Sequence, residues 1–237
     1  MEPLIPLEGD VGRVLAVVAH PDDLEYGAAA AVALWTDAGH EVAYLLASRG
    51  EAGIDGMEPV EAARVRVEEE IRSAAVVGVS TVEFLDHPDG AIEYGLPLRR
   101  EVAAAIRRHR PETLLLFNHR ETWGPGRLNS PDHRHTGEAA LDAVGDAGNR
   151  WIHPELGLEP WGGVRRALVT GSPLATHGLD VSEGVDRAVA SLSEHRAYLE
   201  GLGDHPMADP EFIRMFLETT GERFGGVPTL SFELFEF

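Results

Sequence analysis

The 237-residue sequence contains no cysteine, which excludes disulfides, thiolate metal sites and a cysteine nucleophile. Any transition metal would have to be held by His, Asp or Glu. No apolar run approaches the roughly 18 residues that a membrane-spanning helix needs. The start, Met1 to Pro6 (MEPLIP), lacks the basic n-region of a secretory signal, so no signal peptide and a cytoplasmic location are expected. Basic side chains are scarce: 20 Lys and Arg against 40 Asp and Glu give a formal net charge of −20. Such a field repels nucleic-acid phosphates and anionic lipid, so neither nucleic acid nor membrane is an expected partner. The first apolar run is followed by no GxGxxG, which counts against a dinucleotide-binding module.

What remains is the composition of an ordinary globular protein, 43% hydrophobic and 25% charged, of a length that suits one domain over residues 1–237. Val14-Leu15-Ala16-Val17-Val18 reads as a strand buried on both faces of a parallel sheet. An alanine-rich helix is predicted over Tyr26 to Ala38, a strand over His40 to Ala47, a Gly-rich loop over Ser48 to Pro59 and an Arg/Glu-dense helix over Val60 to Val77. A strand at Thr81 to Leu85, a helix from Leu98 to His109 and a buried strand at Thr113 to Phe117 follow. The connection Asn118 to Asp132 is long enough to be functional. A helix over Asp132 to Ala147, a strand over Arg166 to Thr170 and helices over Val181 to Leu202 and Asp209 to Thr219 complete the interior. Strand–helix alternation of this kind predicts an α/β fold, a Rossmann-like, mostly parallel sheet with helices on both faces. Thr229 to Phe237 alternates in period two, which predicts a half-exposed antiparallel strand at an edge of the sheet.

The segment Ala19-His20-Pro21-Asp22-Asp23-Leu24-Glu25 leaves the first strand at its carboxyl end, where open α/β sheets build their binding crevices. His20 and Asp23, three residues apart on a turn stiffened by Pro21, can converge on one ion as an imidazole nitrogen and a carboxylate oxygen. Asp22 then points elsewhere and is placed to take a proton from water. The bland alternative is a helix start capped by Asp22 or Asp23. A third ligand is expected from another strand end. Asn129-Ser130-Pro131-Asp132-His133-Arg134-His135 follows a buried strand and opens a helix, and His133 would complete a two-His, one-carboxylate set with an open position, although a histidine at a helix start is also an ordinary capping residue.

AHPDDLE (19–25) with SPDHR (130–134) resembles the PIG-L/LmbE-type zinc-dependent N-acetylglucosaminyl deacetylases, the group that includes the deacetylases of mycothiol and bacillithiol synthesis and the enzyme of the glycosylphosphatidylinositol pathway. The resemblance runs through SRGEAG (Ser48 to Gly53) and the Arg/Glu helix to the PDHR helix, and weakens toward the C-terminus. It implies one zinc ion per chain, with iron(II) as the alternative, on His20, Asp23 and His133, with Asp22 as general base. It implies that Arg66 holds a polar group of the substrate, with Arg64 as the competing alignment and a surface ion pair with Glu68 to Glu70 as the plain reading of either. Asp89 would bond sugar hydroxyls, although Asp-Gly is also a good turn pair.

One position departs from the pattern. Several family members carry a histidine where this chain has Ser130, which can donate a hydrogen bond to an oxyanion but cannot deliver a proton near neutral pH. His195 resembles a family histidine at the pocket rim and is the candidate to substitute, with His119 and His135 as further candidates. The implied reaction removes the acetyl group from an N-acetylated amino-sugar conjugate, a small-molecule partner. The alternatives are an amidase acting on a mycothiol-type conjugate and a catalytically inactive Rossmann-like binding protein. Assembly into a homo-oligomer is left open.

Overall fold

The computed structural model describes residues 2–237. A two-residue strand, β1 (Ile5–Pro6), precedes β2 (Val14–Val18), in which every residue is buried. Then come α1 (Asp23–Gly27), α2 (Ala29–Asp37), β3 (Val42–Leu46), α3 (Pro59–Val76), β4 (Thr81–Phe84) and α4 (Leu96–His109). After β5 (Thr113–Phe117), a small hairpin of β6 (Thr122–Gly124) and β7 (Arg127–Leu128) leads into α5 (Pro131–Gly148). The remainder is β8 (Arg166–Thr170), β9 (His177–Asp180), α6 (Val185–Leu192), α7 (Arg196–Gly201), α8 (Phe212–Gly221) and β10 (Thr229–Glu236).

The main sheet has the order β1-β9-β10-β8-β5-β2-β3-β4, and its five strands from β8 to β4 are parallel. Along β2, Val14, Ala16 and Val18 enter the core on one face while Leu15 and Val17 enter the core on the other. This two-sided burial is why the strand reads as an unbroken apolar run. Residues of α2, α6 and α8 pack on the first face, and residues of α4 and α5 on the second. Between β2 and β5 the strand order reverses direction. The carboxyl ends of these two strands therefore flank the topological switch point, where a crevice opens because neighbouring connections leave on opposite faces. HPDD leaves β2 there, and the connection to α5 leaves β5 there.

Three expectations are corrected. The C-terminal strand is antiparallel, as expected, but interior: β10 pairs with β8 on one side and β9 on the other. Its polar residue Glu233 faces an ion pair rather than open solvent, since it is 8% exposed, accepts from Ser172 Oγ at 2.6 Å and is held by the half-buried Arg120 through Nε at 3.2 Å. The helix expected over Tyr26 to Ala38 is divided at Ala28, whose φ of −150° interrupts the run. Next to the break, a Cβ on Gly27 would lie 2.7 Å from the Phe117 ring and 2.9 Å from Thr170 Oγ1, so α1 sits directly on β5 and β8. Gly27→Ala is accordingly expected to cost about 1–3 kcal/mol by overpacking, read as a lower urea midpoint at unchanged slope. The helix expected over Val181 to Leu202 is a short 3-10 turn, α6 and α7, with His195 non-helical (φ −80°, ψ 51°) at the second break. Among the described residues, no helix is long and apolar enough to cross a membrane.

Candidate metal centre

At the switch point three donor atoms converge. His133 Nε2 lies 3.2 Å from His20 Nδ1 and 3.1 Å from Asp23 Oδ1, and His20 Nδ1 lies 3.7 Å from Asp23 Oδ2. Ligands about 2.0–2.2 Å from a tetrahedral ion stand roughly 3.3–3.6 Å apart, so this spacing is that of three corners of one coordination sphere. The outward nitrogens are fixed by acceptors. His20 Nε2 faces Asp132 Oδ2 at 3.1 Å and Asp89 Oδ1 at 3.2 Å, and His133 Nδ1 faces Asn129 Oδ1 at 2.9 Å. Each outer nitrogen thus has an acceptor for its proton, which leaves the inner nitrogen of the neutral ring to turn a lone pair toward an ion, the arrangement by which second partners orient metal-binding histidines. The donor set, its spacing and its outer partners fit a divalent ion. His20, Asp23 and His133 could hold one.

Local sequence explains each placement. Asp23 Oδ2 accepts from the backbone N–H groups of Ala19 (3.0 Å) and His20 (2.9 Å), which clamps the turn leaving β2 and leaves Oδ1 free to face His133. Ser130 caps α5 by accepting from Asp132 N at 3.1 Å, and Pro131 at the first helical position sets the start. Asp132, fully buried, also accepts from Gly90 N (2.7 Å) and Ile92 N (3.1 Å) and so ties the β4–α4 loop to His20. Burial opposes ionisation of Asp23, but His133 and His20 beside it hold its carboxyl well below the usual carboxylate range. Burial likewise disfavours a charged His20, yet its hydrogen bonds to Asp132, Asp23 and Asp89 prevail and raise its pKa well above the ordinary histidine value.

Asp22 stands beside this group, 7% exposed, with a backbone φ of +101° that L residues rarely adopt. Burial raises its carboxyl pKa above the ordinary value against the lowering effect of Arg66, and the charge of Asp23 adds to the rise. Arg66, 2% exposed, places Nη2 3.2 Å from Asp22 Oδ1, donates to the carbonyls of Pro21 and Gly50, and lies 4.3 Å from the Tyr198 ring centre. The Gly-rich loop is what lets it in: a Cβ on Gly50 or Gly53 would stand 2.3 Å from Arg66 Nη1. Arg64, by contrast, points to the exposed face and pairs with Glu61 and Glu68.

Asp89 Oδ2 accepts from Ala52 N at 2.8 Å, and the side chain borders the cleft. Ser130 borders it too. His195 does not. The rim position expected for it is corrected by its complete burial, with Nε2 3.5 Å from Glu25 Oε2 and 3.6 Å from Glu70 Oε2, because the break before α7 turns the ring inward. His119 is buried against Phe235, and His135 Nδ1 donates to the Ile92 carbonyl at 2.6 Å. Neither borders the cleft.

The cleft over these residues has a volume of about 420 Å³ and aromatic walls from Tyr26, Phe117, Trp123 and Tyr198. Trp123 rides on the β6–β7 hairpin, with its ring centre 5.7 Å from that of His133. Several of these groups lie outside the two sequence motifs. Asn129 and Asp132, four and one residues before His133, had a signal in their helix-start spacing, and Trp123 had one as an aromatic in a long connection. Tyr198 and Glu70 carried none.

The family model described as "PIG-L: GlcNAc-PI de-N-acetylase" matches residues 15–144, which holds HPDD, Arg66, Asp89 and the PDH helix start. A diacetylchitobiose deacetylase of Thermococcus kodakarensis is 38% identical over 141 residues, 59% of this chain and 51% of that protein. The matched region thus spans about half the length of that relative. The structure of N,N′-diacetylchitobiose deacetylase from Pyrococcus horikoshii superposes with a TM-score of 0.84 at 23% identity, covering 96% of this chain and 85% of that one. GalB, the 4-carboxy-2-hydroxymuconate hydratase of Pseudomonas putida KT2440, superposes with a TM-score of 0.74 at 18% identity, covering 95% and 96%. These two structures share the fold. The family is decided by the match over more than half of the sequence, which takes in both motif-bearing loops: the chain belongs to the PIG-L (GlcNAc-PI de-N-acetylase) family.

Proposed function

We propose that the protein is a metal-dependent hydrolase that removes the acetyl group from an N-acetylated amino sugar, an N-acetylglucosaminide conjugate. The observation that carries this reading is the convergence of His20 Nδ1, Asp23 and His133 Nε2 at the switch point with the Asp22 carboxylate beside them. Zinc, one per chain, is the proposed ion. Held there, it would supply Lewis acidity, lowering the pKa of water and polarising the acetamide carbonyl.

The chain's own residues do the rest. Asp22 takes a proton from the attacking water. Arg66 holds the Asp22 carboxylate in place, and burial raises its proton affinity, as a general base requires. The Ser130 hydroxyl accepts only from Asp132 N, so its own proton is available to the developing oxyanion. Ser130 cannot protonate the leaving amine, and His195 is buried away from the cleft. Asp22 is then the group that returns the proton to nitrogen as the C–N bond breaks, releasing acetate and a free amine. Arg66 serves here chiefly to hold the base, since Nη2 is engaged by Pro21 and Asp22 and Nη1 by Gly50, while the remaining nitrogen, Nε, is buried without a partner. Asp89 borders the space a sugar ring would enter, with Trp123 and Tyr198 as apolar walls for its faces.

The similarity to a deacetylase at 38% identity supports the substrate class. The fold by itself does not set the reaction, because a hydratase shares it. The test is acetate release from a panel of N-acetylglucosaminides with and without chelator. Stoichiometric acetate and free amine, abolished by chelation, is the expected result. Absence of acetate from every member, with turnover of other small amides, would favour the amidase alternative. Asp132→Asn is expected to weaken zinc binding by about 10–100-fold, since the substitution unsettles the His20 ring. Competition with a chromophoric chelator measures it.

A further inference from the structure

Behind Asp22, away from the cleft, three ionisable side chains from different segments meet with no exposure to solvent: Glu25 on α1, Glu70 on α3 and His195 before α7. His195 Nε2 lies 3.5 Å from Glu25 Oε2 and 3.6 Å from Glu70 Oε2. Ser73 Oγ anchors the far end by donating to Glu25 Oε1 at 2.6 Å. At the near end, Glu70 Oε2 accepts the backbone N–H of Asp22 at 3.3 Å. The further titratable group here is the hydroxyl of Tyr44, which burial and the charges of Glu25 and Glu70 hold neutral by raising its pKa well above the ordinary value. Ionisable groups are costly to bury, and apolar side chains of similar volume would pack this site without that cost.

The near end suggests what the cluster is for. Asp22 holds φ at +101°, and such strain persists only where surroundings over-determine it. Two contacts do so. Arg66 grips the Pro21 carbonyl and the Asp22 carboxylate from one side, and Glu70 holds the Asp22 N–H from the other. Next to the cluster on α3, Glu69 Oε1 accepts from Ala197 N at 2.7 Å at the start of α7, and α7 carries Tyr198 onto Arg66. We propose that Glu70, backed by His195 and Glu25, is a positioning residue that locks the Asp22 peptide in its left-handed conformation and so aims the carboxylate into the cleft. His195 then acts through Glu70 and never meets substrate. The inference rests on Asp22 being the base, as proposed above.

The test compares kcat, KM and zinc content for Glu70→Gln and Glu70→Leu, each made in the parent and in Asp22→Asn. Glutamine keeps an oxygen acceptor for the Asp22 N–H, so Glu70→Gln is expected to stay within about fivefold of the parent kcat. Glu70→Leu is expected to lower kcat about 100-fold, as misplacing a catalytic group does, with KM within about threefold and zinc unchanged. In the Asp22→Asn background Glu70→Leu should cost nothing further, because it acts through Asp22. His195→Gln supplies the same two-background comparison where Glu70→Leu does not fold. Equal losses in both backgrounds would mark a merely structural cluster and overturn the proposal. So would parental turnover by Glu70→Leu, or a parent holding two zinc ions of which Glu70→Gln loses one. Parental turnover by Asp22→Asn removes the general-base reading itself. Loss of turnover there, with full turnover in Glu70→Leu, removes only this inference.

Discussion

Asp22→Asn retains its metal and loses turnover: kcat is expected to fall by about 10³–10⁴-fold, with KM little changed. The size follows from two tasks on one carboxylate, which takes a proton from water and then returns it to the amine. No other titratable side chain of the cleft is free to share them. His20 and His133 are committed on both ring nitrogens, Asp23 faces His133, and Asp89 is engaged by Ala52 N and His20. Burial pushes the Tyr26 and Tyr198 hydroxyls well above the ordinary tyrosine pKa, and Tyr26 already donates to the Met207 carbonyl. Asparagine is the informative replacement because it keeps the volume, can still accept from Arg66 and tolerates positive φ better than other residues with a Cβ. Asp22→Ala should lose turnover equally, but it also strands the buried Arg66 guanidinium, so its fold is to be checked by thermal melting. Zinc analysis and steady-state kinetics on the same preparation separate a lost base from a lost metal. Turnover at the parent rate with zinc retained would end the assignment.

His133→Ala is expected to remove metal and activity together. Two of three donors remain, and the inward lone pair supplied from α5 is gone. Ligand loss should weaken zinc by more than the roughly 10–100-fold typical of an outer partner. The His133 ring also meets Phe117 and Trp123, with centres 5.2 Å and 5.7 Å apart, so some loss of order in the β6–β7 hairpin should accompany it. The contrast with Asp22→Asn is the useful part. One variant binds metal and does not turn over, and the other does not bind it. Full zinc content in His133→Ala would place the ion elsewhere.

The parts of the fold most legible in sequence were those buried on both faces. The strands β2, β5 and β8 match the predicted ones residue for residue, because two-sided burial writes all of β2 and the centres of β5 and β8 in Val, Leu and Ala. β9, His-Gly-Leu-Asp, and the two-residue β1 carry no such signal. Missing them made β10 look like an edge. Its alternation was real, but Glu233 meets Arg120 and Ser172 instead of water. The break at His195 was hidden for a similar reason: helical periodicity continues through it, and only the buried carboxylates of Glu25 and Glu70 explain why the ring turns inward.

The candidate metal ligands were legible because each motif is contiguous and each follows a strand that could be placed. His20 and Asp23 share one turn, and His133 opens a helix at the neighbouring strand end. Which arginine enters the site was not legible. Arg64 and Arg66 are two residues apart on the same helix, and the difference lies in Gly50 and Gly53 making room for one of them. Glu70 reaches the Asp22 N–H from α3, and Tyr198 reaches Arg66 because α7 packs on α3, a tertiary fact with no local pattern.

The most direct test of the account is a zinc titration of chelator-treated protein, following acetate release from an N-acetylglucosaminide at each addition. The account predicts no release at zero zinc, a rise in proportion to zinc and a plateau at one equivalent per chain. Undiminished release after chelation, or no acetate at full zinc occupancy from any N-acetylglucosaminide supplied, would contradict it.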